Sequence, residues 1–247
     1  MQVRIERRFH GPQASGNGGY TCGVAATAID GPAQVRLLRP PPLDRTLRLV
    51  ATDEGAELLD GDTVIAQARP GEPAEDLPEP VTYEEAEQAA AEFDVKAYQD
   101  QHPFPSCFTC GPARAEDEGL RLFPGRTSRD LLVAWPWQPQ ESLAGPAGTL
   151  DPRYVWAALD CPSGLCWYHD PTYETAPHVL GQLTARIRRL PTAGERLVAA
   201  GWLRSADGRK RHSGSAIWSD DGEVLAHAEA TWVRLTEEQF EQFRVAR

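Results

Sequence analysis

Positive charge is what this chain lacks most. Its 25 Lys and Arg face 36 Asp and Glu, for a formal net charge of −11. A surface that neutralises nucleic-acid phosphates needs clustered cations, so the balance argues against a nucleic-acid partner. A local basic pocket for a phosphorylated ligand is still compatible with it. Lysine occurs only at Lys96 and Lys210, and the remaining 23 basic residues are arginine, a bias of GC-rich coding from which no function follows. There is no run of about 18 apolar residues, so no membrane span is expected. The opening Met1-Gln2-Val3-Arg4-Ile5-Glu6-Arg7-Arg8 alternates and is charged, unlike a secretory leader. Five cysteines, an odd number with no leader, fit a reducing cytoplasm better than a disulfide framework.

What remains is an ordinary globular composition, 41% hydrophobic and 25% charged over 247 residues. That is enough chain for one large domain or two small ones, each with a real core. The most informative segment is Ser15-Gly16-Asn17-Gly18-Gly19-Tyr20-Thr21-Cys22-Gly23-Val24-Ala25-Ala26-Thr27-Ala28-Ile29. It reads as a glycine-rich turn that runs into a helix of small residues. Such a turn brings bare amides close to a ligand, and the first helical turn adds unpaired N–H donors and the positive end of the dipole. The arrangement suits an oxyanion or a polarised carbonyl. Asn and Gly are also ordinary helix caps, so the segment carries chemistry only if partner residues face it.

A weak internal repeat organises the rest. Ala33 to Pro40, a turn, then Arg45 to Ala51 makes two alternating strands, and Ala185 to Pro191, a turn, then Glu195 to Gly201 does the same. An Asp-Gly turn then feeds a small, apolar strand in each half: Asp60 to Ala68 and Asp221 to Ala228. Upstream, Gly19-Tyr20-Thr21-Cys22-Gly23-Val24-Ala25-Ala26 matches Arg153-Tyr154-Val155-Trp156-Ala157-Ala158-Leu159-Asp160. Each half thus reads as a strand, one helix and a run of antiparallel strands. The second half has a longer helix-to-strand loop, about Pro162 to Val179, and a longer final hairpin. The predicted organisation is a first unit over 1–70, a linker over 71–118 and a second unit over 119–247. The linker opens Pro/Glu-rich, continues as an acidic helix from Thr82 to Tyr98 with a Thr82…Glu85 capping box, and ends in a Cys107-Phe108-Thr109-Cys110 loop. The helix is expected to be a solvated strap.

One helix followed by a curved antiparallel sheet, occurring twice, resembles the hotdog fold of acyl-CoA thioesterases and related dehydratases. Gly18-Gly19-Tyr20 is similar to the family's glycine-containing helix entry, and Tyr154 to Asp160 to the helix of an acid-bearing member. The resemblance implies an α+β double hotdog and a thioester hydrolase. Amides at the start of one helix would polarise the thioester carbonyl, and a carboxylate on the facing helix would activate water or attack directly. The two requirements are divided between the halves. Asn17-Gly18-Gly19 lies in the first, where Ala26 stands opposite the acid, and Asp160 lies in the second, where Pro152-Arg153 replaces the glycine pair. One composite site per chain is expected. Asp160 would be base or nucleophile, Gly19 and Tyr20 would give the oxyanion amides, Asn17 would orient water or carbonyl, and Gly18 would touch substrate. Two rivals stand beside this reading: a non-catalytic acyl-CoA- or lipid-binding module, and a hydratase or dehydratase. The second needs a His/Asp pair, faintly suggested by Asp170-Pro171…Pro177-His178.

Other residues carry weaker signals. Arg209-Lys210-Arg211 on a hairpin could meet the phosphates of coenzyme A, though a solvated turn explains them too. Trp156 or Trp167 could line an acyl or aryl pocket, with core packing the plainer reading. His10, His102, His169 and His178 have no assigned role. Cys107 and Cys110 have metal-ligand spacing, and Cys161 and Cys166 or His102 could complete a zinc site. Without a second close pair, buried small hydrophobes are the expectation. No cofactor is expected beyond coenzyme A as part of a substrate. The implied partner is a small acyl thioester, with a homodimer allowed.

Overall fold

The computed structural model describes residues 1–170, 172 and 177–244. Its elements in chain order are β1 (Gln2–Arg4), α1 (Gly18–Ala26), β2 (Ala33–Leu37), β3 (Thr46–Thr52), β4 (Gly55–Asp60) and β5 (Thr63–Pro70). Then come α2 (Tyr83–Ala91), α3 (Val95–Gln101), β6 (Gly125–Arg126), β7 (Leu132–Trp137) and α4 (Pro152–Leu165). The last are β8 (His178–Ile187), β9 (Leu197–Asp207), β10 (Lys210–Ser219), β11 (Val224–Arg234) and α5 (Glu237–Arg244).

All described strands join one antiparallel sheet, ordered β1-β3-β4-β5-β2-β8-β11-β10-β9-β7-β6. Read outward from the β2–β8 junction, the two sides follow the same course: β2-β5-β4-β3-β1 and β8-β11-β10-β9-β7. The sequence repeat makes Ala33 and Ala185 equivalent, and the register places those two residues directly opposite each other. The local twofold between the halves therefore passes between them. Gly61 and Gly222, equivalent residues of the two Asp-Gly turns, both take the left-handed conformation that such tight hairpins demand. The architecture is the double hotdog expected from the sequence.

Each half-sheet carries its own helix: α1 lies on β2, β4 and β5, and α4 lies on β8 to β11. The helices also pack on each other. Residues Gly19 to Ala25 of α1 are buried on every side, which a helix of small residues permits. The crossing is tight because Gly19 and Gly23 lie where it is closest. A Cβ on Gly19 would stand 2.5 Å from both Asp160 Cβ and the Trp156 carbonyl, and one on Gly23 2.8 Å from Arg153 Cα.

Two expectations change. The helix bearing Asp160 does not end before Pro162 but runs through it to Leu165. Proline removes only one donor from the helix ladder, and side chains from the sheet hold this turn: Ser215 Oγ donates to the Leu159 carbonyl and Trp232 Nε1 to Ser163 Oγ. The single strap helix from Thr82 to Tyr98 is in fact two helices, with Asp94 capping the second by accepting from the Ala97 amide. Nor is it merely solvated. Tyr83 and Ala86 of α2 pack with Val198, Ala200 and Trp218 on the outer face of the second half-sheet.

Candidate active site

The site is built where the N-terminus of α1 meets the middle of α4. Asn17 caps α1, its Oδ1 accepting from the Tyr20 amide at 2.8 Å. Its Nδ2 donates to Asp160 Oδ2 at 3.0 Å, and the Gly19 amide donates to the same oxygen at 2.8 Å. Asp160 Oδ1 is buried and has no hydrogen-bond partner among the described residues. The side chains of Asn17 and Asp160 are almost wholly enclosed, at 1% and 2% exposure. Burial pushes the Asp160 carboxyl up to about 7, opposed by the Gly19 amide and assisted by the neighbouring Cys107. A carboxylate at a helix N-terminus is electrostatically well placed, yet enclosure outweighs that here.

Both residues border a cavity of about 500 Å³. Its floor holds Asn17, Gly18 and Asp160; its walls are largely apolar, with Leu180, Leu165, Phe104 and Trp232 among them. Arg39 and Arg209 add charge to the lining. α5 closes over one side, where Phe240 and Phe243 meet Phe104 edge-on. The chemistry available is a buried acid at the end of a helix and the edge of an apolar chamber, with one oxygen anchored and the other enclosed without a partner among the described residues.

Asn17, Gly18, Gly19 and Asp160 are thus brought together from the two halves. The two amides expected to receive a carbonyl oxygen are already used: Gly19 N–H by Asp160 and Tyr20 N–H by Asn17. The Gly18 amide, first of the helix, makes no bond among the described residues and Gly18 borders the cavity. The Tyr20 ring points away, stacked on Phe9 at 4.0 Å. Trp156 is buried at the helix crossing and does not border the cavity, because Gly23 lies against its Cβ. Of the basic hairpin, Arg209 reaches the cavity, held by the Arg234 carbonyl and Gln239. Lys210 and Arg211 lie outside it, and Arg211 bonds back to its own turn.

The Asp170/His178 pair is not assembled: Asp170 bonds Thr172 in an exposed loop, whereas His178 borders the cavity. Pro171 lies outside the described residues. His169 bonds the Pro124 carbonyl, and His10 the Gly11 carbonyl. Cys107, Cys110 and Cys161 meet as one buried cluster with sulfurs within 4.8 Å of one another. His102 Nε2 lies 3.3 Å from Cys110 Sγ. Cys166 stands apart, donating to the Ser163 carbonyl. Sequence reasoning missed the apolar walls, Phe104 and Leu180 in particular. It also left unread the four-residue spacing of Gly19 and Gly23, which signals a close helix crossing.

Neither a family model nor a curated protein matches the chain. Solved structures do. A provisionally named thioesterase from Novosphingobium aromaticivorans aligns with a TM-score of 0.58 at 10% identity over 95% of each chain. A provisionally named oleoyl thioesterase from Lactobacillus plantarum gives 0.52 at 12% over 96% of each. A conserved protein of unknown function with the hotdog fold, from Alicyclobacillus acidocaldarius, gives 0.53 at 12%, covering 95% of this chain and 92% of the other. At these identities the likeness is one of fold.

Proposed function

We propose that this double hotdog hydrolyses acyl thioesters, acyl-CoA being the first class to test. One observation carries the reading: a buried carboxylate that borders an apolar cavity is held by Gly19 and Asn17 through one oxygen, while its other oxygen is buried without a hydrogen-bond partner among the described residues. In this reading the acyl group fills the cavity. Asp160 takes a proton from water as the water oxygen adds to the carbonyl carbon. The oxyanion that forms accepts from the Gly18 amide at the positive end of α1, and the thiolate then leaves with a proton, giving acid and thiol. A carboxyl near 7 is well matched to a base at neutral pH. Asn17 fixes the orientation of Asp160, and Arg209 offers charge for a phosphorylated carrier.

A second reading, an acyl-CoA- or lipid-binding module, is favoured by the two helix amides that Asp160 and Asn17 already occupy. Thiol release from an acyl-CoA panel by wild type and Asp160→Asn separates them. Hydrolysis that falls at least about 100-fold in the variant supports the base. No hydrolysis, with acyl-CoA still raising the melting temperature, leaves the binding module. Equal hydrolysis by both proteins overturns the role of Asp160.

A further inference from the structure

Cys107, Cys110 and Cys161 come from two segments 54 residues apart and yet meet sulfur to sulfur. Cys107 Sγ and Cys161 Sγ are 3.8 Å apart, and all three sulfurs lie within 4.8 Å of one another. Two sulfurs bound to one tetrahedral zinc at about 2.3 Å lie about 3.8 Å apart. A disulfide instead needs about 2 Å. The loop is shaped to present both of its thiols. The Gly111 amide donates to the Cys107 carbonyl at 2.9 Å, and a Cβ at Gly111 would lie 2.4 Å from that oxygen, so only glycine closes the turn after Cys110.

Phe104 and Leu165 pack against the cluster, as around inert buried cysteines, but polar donors also reach its sulfurs. Asn17 Nδ2 donates to Cys107 Sγ at 3.7 Å. The Phe104 amide donates to His102 Nδ1 at 2.8 Å, which leaves Nε2 as the protonated nitrogen of a neutral ring, donating to Cys110 Sγ at 3.3 Å. These bonds offset the charge that three thiolates would carry. His102 is therefore placed to steady a ligand sulfur and is not itself a ligand.

We infer that Cys107, Cys110 and Cys161 bind one zinc-class cation as thiolates, with His102 supporting Cys110 from outside the coordination sphere. The three cysteines border the cavity, so the fourth ligand would be a solvent molecule from that side. Soft thiolates favour zinc over magnesium or calcium. The ion would tie the linker loop to α4 at the residue after Asp160, where Thr109 Oγ1 already bonds the Ala157 carbonyl at 3.1 Å. The metal site does not rest on the proposed hydrolysis, although the ion would lie beside Asp160 and share Asn17 with it.

The test is metal stoichiometry on the full chain, stripped with chelator under reducing conditions and titrated with Zn²⁺ and with Co²⁺ as a spectroscopic probe. One ion per chain is expected, with thiolate-to-cobalt charge-transfer absorption and a zinc-dependent rise in melting temperature. Cys161→Ser, checked for folding by circular dichroism, should lose at least about 100-fold in affinity, and His102→Ala about 10- to 100-fold. Cys166→Ser should bind as wild type. Should Cys161→Ser not fold, Cys110→Ser makes the same comparison. No thiolate–cobalt absorption in wild type, or undiminished binding by the folded Cys161→Ser or Cys110→Ser protein, would overturn the site.

Discussion

The Gly19 amide and Asp160 Oδ2 meet at 2.8 Å across 141 residues of chain. A carboxylate of one repeat thus completes the helix terminus of the other. Internal symmetry is broken at this point: the position equivalent to Asp160 in the first half is Ala26, and the position equivalent to Gly19 in the second is Arg153. Each half supplies what the other lacks, so two helices that are related by a local twofold build one site. The contact depends on a close crossing, and the residues that allow it are as specific as the acid.

Gly19→Ala tests the crossing. Its new methyl would fall 2.5 Å from the Trp156 carbonyl and from Asp160 Cβ, and both belong to a helix held by the sheet. The helices must separate, which costs about 1–3 kcal/mol despite the better helix propensity of alanine. Gly18→Ala is the paired control, since its nearest neighbours, Leu180 Cβ and Cδ2, stand at 3.0 Å, a milder approach that needs a shift of only a few tenths of an ångström. Urea unfolding should rank wild type and Gly18→Ala above Gly19→Ala. A Gly19→Ala protein as stable as wild type would mean that the helices are not held at this distance.

Asp160→Asn should separate stability from activity. The carboxyl is raised to about 7 in the fold and is near 3.9 in an unfolded chain. Between those values the unfolded state releases its proton while the folded state keeps it, so the native state loses stability as pH rises from about 4 to about 7. The loss reaches about 4 kcal/mol at 1.36 kcal/mol per pK unit. In metal-free protein, Asn should remove that loss, keep the Gly19 contact through its carbonyl oxygen, and abolish hydrolysis. Denaturation midpoints at pH 4.5 and 8 should show the variant gaining on wild type only at the higher pH.

Asn17→Ala and Asn17→Asp divide the roles of one side chain. Alanine removes the α1 cap, worth about 1 kcal/mol, and one of the two donors to Asp160, so it should lower both stability and rate. Aspartate restores the cap to Tyr20 but sets a second carboxyl against Asp160, and the two cannot both ionise cheaply. Asn17→Asp should therefore recover more of the melting temperature than of the thiol-release rate. Equal recovery of both would assign Asn17 a capping role alone.

The repeat is readable because strand alternation and Asp-Gly turns are local signals; the facing of Asn17-Gly18-Gly19 and Asp160 follows from the match between the two helices and the hotdog resemblance, and the strand order comes from the structure alone. What one residue's neighbours do to it was less visible. That the Gly19 and Tyr20 amides are already occupied follows from a hydrogen-bond count, which no spacing encodes. Cys161 joining Cys107 and Cys110, with Cys166 left out, depends on α4 continuing past Pro162 and presenting one of the two thiols to the loop. The apolar cavity wall draws Phe104 from the linker and Leu180 from β8, so no single segment announces it. The strap was misjudged because Tyr83, Ala86 and Ala89 are too few to stand out in an acidic stretch, although they suffice to dock α2 on a sheet face.

His227 gives the last expectation. It is fully buried in β11, and neither ring nitrogen has a hydrogen bond among the described residues. Beside it runs the linker, where Glu72 and Glu75 pair with Arg186 and Glu75 also with Arg188. Burial holds the imidazole below its ordinary value; Glu75, 3.7 Å from Nε2, and Glu72 oppose this, while Arg188 and Arg186 reinforce it. The folded ring is then neutral where an unfolded one is charged. As pH falls below about 6.5, the unfolded chain takes up a proton that the native state refuses, and stability declines until the folded ring also titrates. A single proton bounds the slope at about 1.4 kcal/mol per pH unit. Asp160 acts with the opposite sign over the same range, so the comparison is made in the Asp160→Asn background. There His227→Phe should flatten the fall in urea midpoint between pH 7 and pH 5. If the double variant falls as steeply as Asp160→Asn alone, the acid sensitivity lies with other groups. If Asp160→Asn alone gains stability on acidification where the double variant does not, Glu75 wins over burial and the linker is fastened to the sheet by a charged histidine.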